Sequence, residues 1–212
     1  MVPMGPHGPG ALAELARPVL GLTGAIAAGK SAAGDLLGSM GCVVSRSDQH
    51  AHEVLRDPEV VKTLVEWWGA GILDAKGAVA RPAVAERVFA NPAERERLEA
   101  LVHPRIHLLR EACFAHATPA TKALVIEAPL LFEAKMDEHC VQTIFIDASR
   151  EVRLARVVER GWDSEELDRR EFAQWSLDVK RQKADHVIRN EGSLDQLRLQ
   201  LETILLHLIA SE

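Results

Sequence analysis

Residues 24–31 read GAIAAGKS and follow the apolar run PVLGLT at 18–23. Gly24, Gly29, Lys30 and Ser31 stand at the spacing of a loop that wraps a chain of phosphates, with a strand pattern before it and a helical pattern (32–40) after it. In such a loop the backbone from Gly24 through Ala25, Ile26, Ala27, Ala28 and Gly29 to Lys30, Ser31 and Ala32 offers N–H groups to the anion, and the dipole of the following helix adds to the attraction. The Lys30 ammonium then reaches the outer phosphates and the Ser31 hydroxyl ligates Mg²⁺. The chemistry is phosphoryl transfer, with water, a protein or a small molecule as acceptor. Ala27 and Ala28 stand where glycine or serine is frequent, which stiffens the loop while keeping its N–H donors.

Other residues with chemical potential each carry a plainer alternative. Asp48, eighteen positions after Lys30, is placed to orient or deprotonate an attacking hydroxyl, or else to cap the helix carrying Ala51, Val54 and Leu55, a task Ser47 could also perform. Glu127 ends the apolar segment ALVIE, where it either holds a water of Mg²⁺ or meets solvent at the sheet edge. Pro129–Phe132 is a ligand wall or simply core. Between Arg153 and Lys183, eight basic residues alternate with acids, the pattern of an ion-paired helix surface. Arg156 and Arg160 nevertheless share a helical face beside Gly161, as arginines of a closing lid would. His103 and His107 lack the glutamate and third ligand of a zinc helix, and Trp67-Trp68 before Gly69 reads as core packing at a helix end.

The elements that must position these groups follow from periodicity. Short β-branched or leucine-rich runs at 19–23, 42–45, 123–127, 141–146 and 184–188 predict buried parallel strands, separated by helical patterns clearest at 93–116, 151–160, 164–175 and 193–209. This alternation predicts a doubly wound sheet. The stretch 49–121 has almost no strand signal, and Asp57-Pro58, Arg81-Pro82 and Asn91-Pro92 break it into helices. A helical insertion at 49–121 and a helical lid at 153–183 are therefore expected around a core of 18–48, 122–152 and 184–212.

Composition narrows the function classes. With 212 residues the chain suits one cored domain, 18–212, and the Pro/Gly-rich start predicts a flexible extension over residues 1–17. A net charge of −6 argues against a duplex nucleic-acid partner, and no stretch reaches the ~20 apolar residues that span a bilayer. Three scattered cysteines suggest neither a disulfide framework nor a zinc site, which fits a reducing cytoplasm. Oligomeric state leaves no signal in the composition.

Taken in order, LTGAIAAGKS, SDQHAHEVL, ARPAVAERVFANPAERERLEALVHPRI, APLLFE, RLARVVERGW and RREFAQWSLDVKRQKADHVIRNEGS resemble the dephospho-coenzyme A kinases over 19–209. The resemblance implies an α/β, phosphate-loop NTPase-like fold with a helical insertion and lid. It also implies ATP and Mg²⁺ as cofactors, and phosphorylation of the ribose 3′-hydroxyl of dephospho-CoA to give CoA and ADP, the last step of CoA biosynthesis. It assigns Asp48 to the acceptor hydroxyl, Lys30 and the loop to ATP, Arg160 to the lid, and Asn190 to the neighbourhood of the adenine; Arg156, on the helical face of Arg160, is expected among the ATP-binding residues. His103, Pro129, Leu130, Leu131 and Glu133 fall beside the acceptor. One departure stands out: where the family has Asp-x-Asp, this chain has Arg46-Ser47-Asp48. That leaves open a related nucleoside or nucleotide kinase with another acceptor, and a catalytically impaired nucleotide-binding protein.

Overall fold

In the computed structural model, residues 17–210 are described. Residues 1–16 of the expected extension lie outside them, and its last residue, Arg17, donates from Nη2 to the Pro119 carbonyl at 2.7 Å. The described residues form two compact units: one runs to Ser45 and resumes at Cys113, and the other is Arg46–Ala112. Phe114 and Ala117, which fall inside the expected insertion of 49–121, pack among core residues of the first unit.

Five strands build the first unit's sheet: β1 (Val19–Gly24), β2 (Val43–Arg46), β3 (Leu124–Glu127), β4 (Gln142–Asp147) and β5 (His186–Arg189). Their order is β2-β3-β1-β4-β5; β1 pairs in parallel with β3 and β4, and β4 with β5. All six residues of β1 are buried, as a central parallel strand covered on both faces requires. Strand alternation sorts the core. Leu20, Leu22 and Val125 join Leu37 of α1 (Lys30–Ser39) and Leu197, Leu201 and Leu205 of α9 (Leu194–Ala210), while Leu124 and Ile126 join Phe114, Leu131 and Phe132 in another cluster.

Between β4 and β5 lie α6 (Arg150–Val158), α7 (Ser164–Phe172) and α8 (Leu177–Lys183). The expected single helix at 164–175 ends at Phe172 because Ser176 starts a new one, its side chain accepting from the Val179 N–H. Most charges of this segment are paired, as the plainer alternative holds. Arg150 meets Asp168 at 2.6 Å, buried Arg153 meets Glu171, Arg170 and Arg169 meet Glu166, and Arg181 meets Asp147 at 2.8 Å.

The second unit contains α2 (Ser47–Val54), α3 (Pro58–Trp68), α4 (Arg81–Ala90) and most of α5 (Pro92–Phe114), with one isolated antiparallel bridge, Leu73 to Val79. Its own core gathers Val60, Leu64, Trp68, Ile72, Val84, Val102 and Ile106. Trp68 is buried as expected and donates its indole N–H to Glu94 at 2.6 Å, while Arg97 stacks 3.8 Å over the ring of Trp67.

Candidate functional site

The loop between β1 and α1 gains its shape from backbone that most residues avoid. Gly29 has φ +100°, and a Cβ there would lie 2.2 Å from Nδ2 of Asn190; a Cβ on Gly24 would lie 2.6 Å from the Ile146 carbonyl. Both positions therefore demand glycine. Ala27 also turns left-handed, at φ 61°, a conformation costing a non-glycine residue about 1–2 kcal/mol. Its methyl is buried with Val157 of α6 and Leu167 of α7.

Two side chains hold the loop's carbonyls. Arg156 donates from Nη1 to Ala27 O and Ala28 O, both at 3.2 Å, and from Nη2 to Asn190 O at 3.0 Å. Asn190 Nδ2 donates to Ala28 O at 2.7 Å. Hydrogen bonds from a charged donor contribute about 1.5–3 kcal/mol each, so one of them matches the strain at Ala27. With carbonyls fixed on one side, a winding loop turns N–H groups to the other.

Not every amide of the loop is available to a ligand. Ala25 N–H already donates to Ile146 O, and Ala28 N–H to Ala25 O, both at 3.0 Å. The expectation that the whole run 24–32 offers its N–H groups is corrected to that extent. At the start of α1 no side chain caps the helix, which leaves the first turn as an anion-facing terminus.

Charge gathers at the same helix start. Glu127, buried at the end of β3, accepts on Oε1 from Lys30 Nζ at 2.7 Å and from Ser31 Oγ at 3.3 Å. A strand-end carboxylate beside a hydroxyl supplies the hard oxygen donors that Mg²⁺ prefers. Of the two alternatives for Glu127, the solvent-facing acid is thereby set aside.

The remaining candidates separate clearly. Arg160 is exposed in the turn after α6, next to Gly161 at φ +79°. Leu131 lies wholly in the core and its side chain cannot form a ligand wall, whereas Pro129 is half-buried and Leu130 exposed. Glu133 is not an open contact. Its Oε1 receives the Trp175 N–H at 3.0 Å and the Lys180 ammonium at 2.7 Å. In the second unit, His103 is exposed on α5 and Asp48 is exposed in the first turn of α2. Neither Asp48 nor Ser47 caps that helix; the N-cap position is Arg46, which makes no side-chain cap bond.

Sequence reasoning missed the burial of Lys180, its partner Gln174, and Trp175, whose N–H shares Glu133 with it. A lysine in a charge-dense helix carries no local sign of burial, because its oxygen partners lie up to fifty-one positions away. Burial also pushes the Cys42 thiol up to about 11 and lowers the His50 imidazole below its ordinary value, which fits both as packing residues.

A family model described as dephospho-CoA kinase matches residues 18–196. A dephospho-CoA kinase of Symbiobacterium thermophilum is 37% identical over 190 residues, covering 87% of this chain and 78% of the relative. One of Arabidopsis thaliana is 38% identical over 194 residues, covering 90% of this chain and 83% of the relative. A crystal structure of a Thermus thermophilus protein, 33% identical, superposes with a TM-score of 0.78 and covers 90% of this chain and 97% of the other.

Proposed function

The chain belongs to the dephospho-CoA kinase family, and from that premise we propose that it moves the γ-phosphoryl group of ATP to the ribose 3′-hydroxyl of dephospho-CoA, giving CoA and ADP in the cytoplasm. The observation that carries the reading is the meeting of Lys30, Ser31 and Glu127 at the uncapped start of α1, at the carboxyl ends of β1 and β3. The three cysteines, none of them in a disulfide, fit a reducing compartment.

The acceptor oxygen forms a bond to the γ-phosphorus as the bond from that phosphorus to the β-bridging oxygen breaks, and ADP leaves with the electron pair. Asp48 takes the hydroxyl proton or aligns the hydroxyl for attack. Lys30 leaves its carboxylate partner to lie along the phosphates, and Arg160 adds charge when the lid segment closes. The Ser31 hydroxyl and, through water, Glu127 would hold Mg²⁺, which would supply charge neutralisation on the phosphate oxygens. Arg156 and Asn190 act on the nucleotide chiefly by shaping the loop. His103, Pro129 and Leu130 contact the acceptor. Leu131 and Glu133 serve it indirectly, one as core and the other as an anchor.

The test is a coupled assay with dephospho-CoA and ATP, run beside adenosine and other nucleosides as acceptors. Dephospho-CoA is expected to be preferred, and Lys30→Ala to fold with a lowered melting temperature, because buried Glu127 loses its cation, and to abolish transfer. A folded Lys30→Ala protein with full turnover, or an equal rate with simple nucleosides, overturns the reading.

A further inference from the structure

The segment between α7 and α8 is held by an unusual cation. Lys180 is 0% exposed, and its ammonium is met by three oxygens: Glu133 Oε1 at 2.7 Å, Gln174 Oε1 at 2.9 Å and Pro129 O at 3.0 Å. Glu133 Oε1 also takes the backbone N–H of Trp175 at 3.0 Å, and Thr23 Oγ1 at the end of β1 donates to the same Pro129 carbonyl at 3.3 Å. A buried ammonium is tolerated only where such partners surround it. The network thus fixes three things together: the strap after β3, the turn carrying Gln174 and Trp175, and the strand end that enters the phosphate loop.

What this latch presents to solvent is apolar. Trp175 remains 43% exposed and Leu130, inside the strap, 42% exposed, although both stand on backbone pinned by Lys180 and Glu133. The strap follows the carboxyl end of β3, beside β1, which is the edge of a parallel sheet where ligands bind. An indole on pinned backbone, partly exposed at such an edge, suits a planar heteroaromatic ring.

The geometry points to Trp175 as a binding residue for the adenine ring of the acceptor nucleotide, with Lys180 and Glu133 as positioning residues that hold it. This assignment rests on the proposed acceptor and adds a contact that determines which acceptors fit. The Lys180–Glu133 pair touches no substrate and acts through the Trp175 backbone and the strap.

The experiment measures binding of dephospho-CoA, of 4′-phosphopantetheine, which lacks the base, and of ATP to the full chain by titration calorimetry. Trp175→Ala is expected to weaken dephospho-CoA about tenfold, as loss of a base–aromatic stack does, with Trp175→Phe recovering most of the loss. Affinity for 4′-phosphopantetheine and for ATP is expected to stay within twofold. The double variant Lys180→Met/Glu133→Leu replaces a buried ion pair by apolar volume and is expected to keep its melting temperature while losing dephospho-CoA affinity. Should it not fold, Glu133→Leu alone, which removes the acceptor of the Trp175 N–H while Lys180 keeps Gln174 and Pro129, carries the same comparison. Unchanged dephospho-CoA affinity in Trp175→Ala overturns the assignment, and so does an equal loss for ATP or for 4′-phosphopantetheine. A wild-type chain that binds ATP but not dephospho-CoA overturns the functional reading itself, and the assignment with it.

Discussion

Asp48 and Arg46 show how position within a helix decides between readings of one residue. As a first-turn acid of α2, Asp48 interacts favourably with the helix dipole by about 0.3–1 kcal/mol, too little for its removal to unfold the chain. Asp48→Asn is therefore expected to stay folded and bind ATP normally while turnover falls roughly 10²- to 10⁴-fold, the usual loss for a general base. An Asp48→Asn enzyme as fast as the parent removes the residue from the mechanism. Arg46 places a cation at the N-cap, where a side-chain acceptor is favoured and positive charge is not. Arg46→Asp restores the family's acid and supplies a cap, so both the melting temperature and turnover are expected to rise. A fall in turnover with a raised melting temperature would show instead that Arg46 serves substrate phosphate.

At the scale of elements, the phosphate loop was readable from GAIAAGKS because spacing, strand and helix are contiguous, all within residues 19–39. The means by which it is held were not. Arg156 looked like a lid arginine from its spacing to Arg160, but its guanidinium is spent on Ala27, Ala28 and Asn190, the last thirty-four positions away. For Glu133 and Leu131 the motif gives a neighbourhood and not a direction: the carboxylate turns to Lys180 and the Leu131 side chain into the core. The segment between β4 and β5 offers a prediction by titration. Arg150 holds the Asp168 carboxyl below its usual range, and Arg170 and Arg169 do the same for Glu166. Acids whose folded pKa is lowered stabilise at any pH above their ordinary value, near 4, and lose that contribution as pH falls through the lowered value. Amide exchange in α7, corrected for its intrinsic pH dependence, is thus expected to be constant from pH 7 to 5 and to accelerate below about 4. Flat protection down to pH 2.5 would show that these pairs do not hold α7.

For the molecule as a whole, a net charge of −6 coexists with a site for polyanions because cations are placed where the fold needs them and paired with acids elsewhere. The helical character of the second unit was legible as a run without strands, since periodicity and the three Pro breaks are local signals. Its boundary at Ala112 was not, because α5 continues through it without a sequence break. Each unit has its own apolar core, and this makes their contributions separable by a single substitution. Leu64 is fully buried in the cluster of Val60, Trp68, Ile72 and Val102, so Leu64→Ala leaves a cavity costing about 2–5 kcal/mol. The phosphate loop and its braces, Arg156 and Asn190, belong to the other unit and make no use of that core. Leu64→Ala is therefore expected to lower the melting transition and raise KM for dephospho-CoA while the Kd for ATP stays within twofold at 25 °C. Calorimetry on the variant, with nucleotide titration below its transition, gives the answer. A proportionate loss of ATP affinity would mean that the nucleotide site depends on the packing of both units and is not built by the first alone.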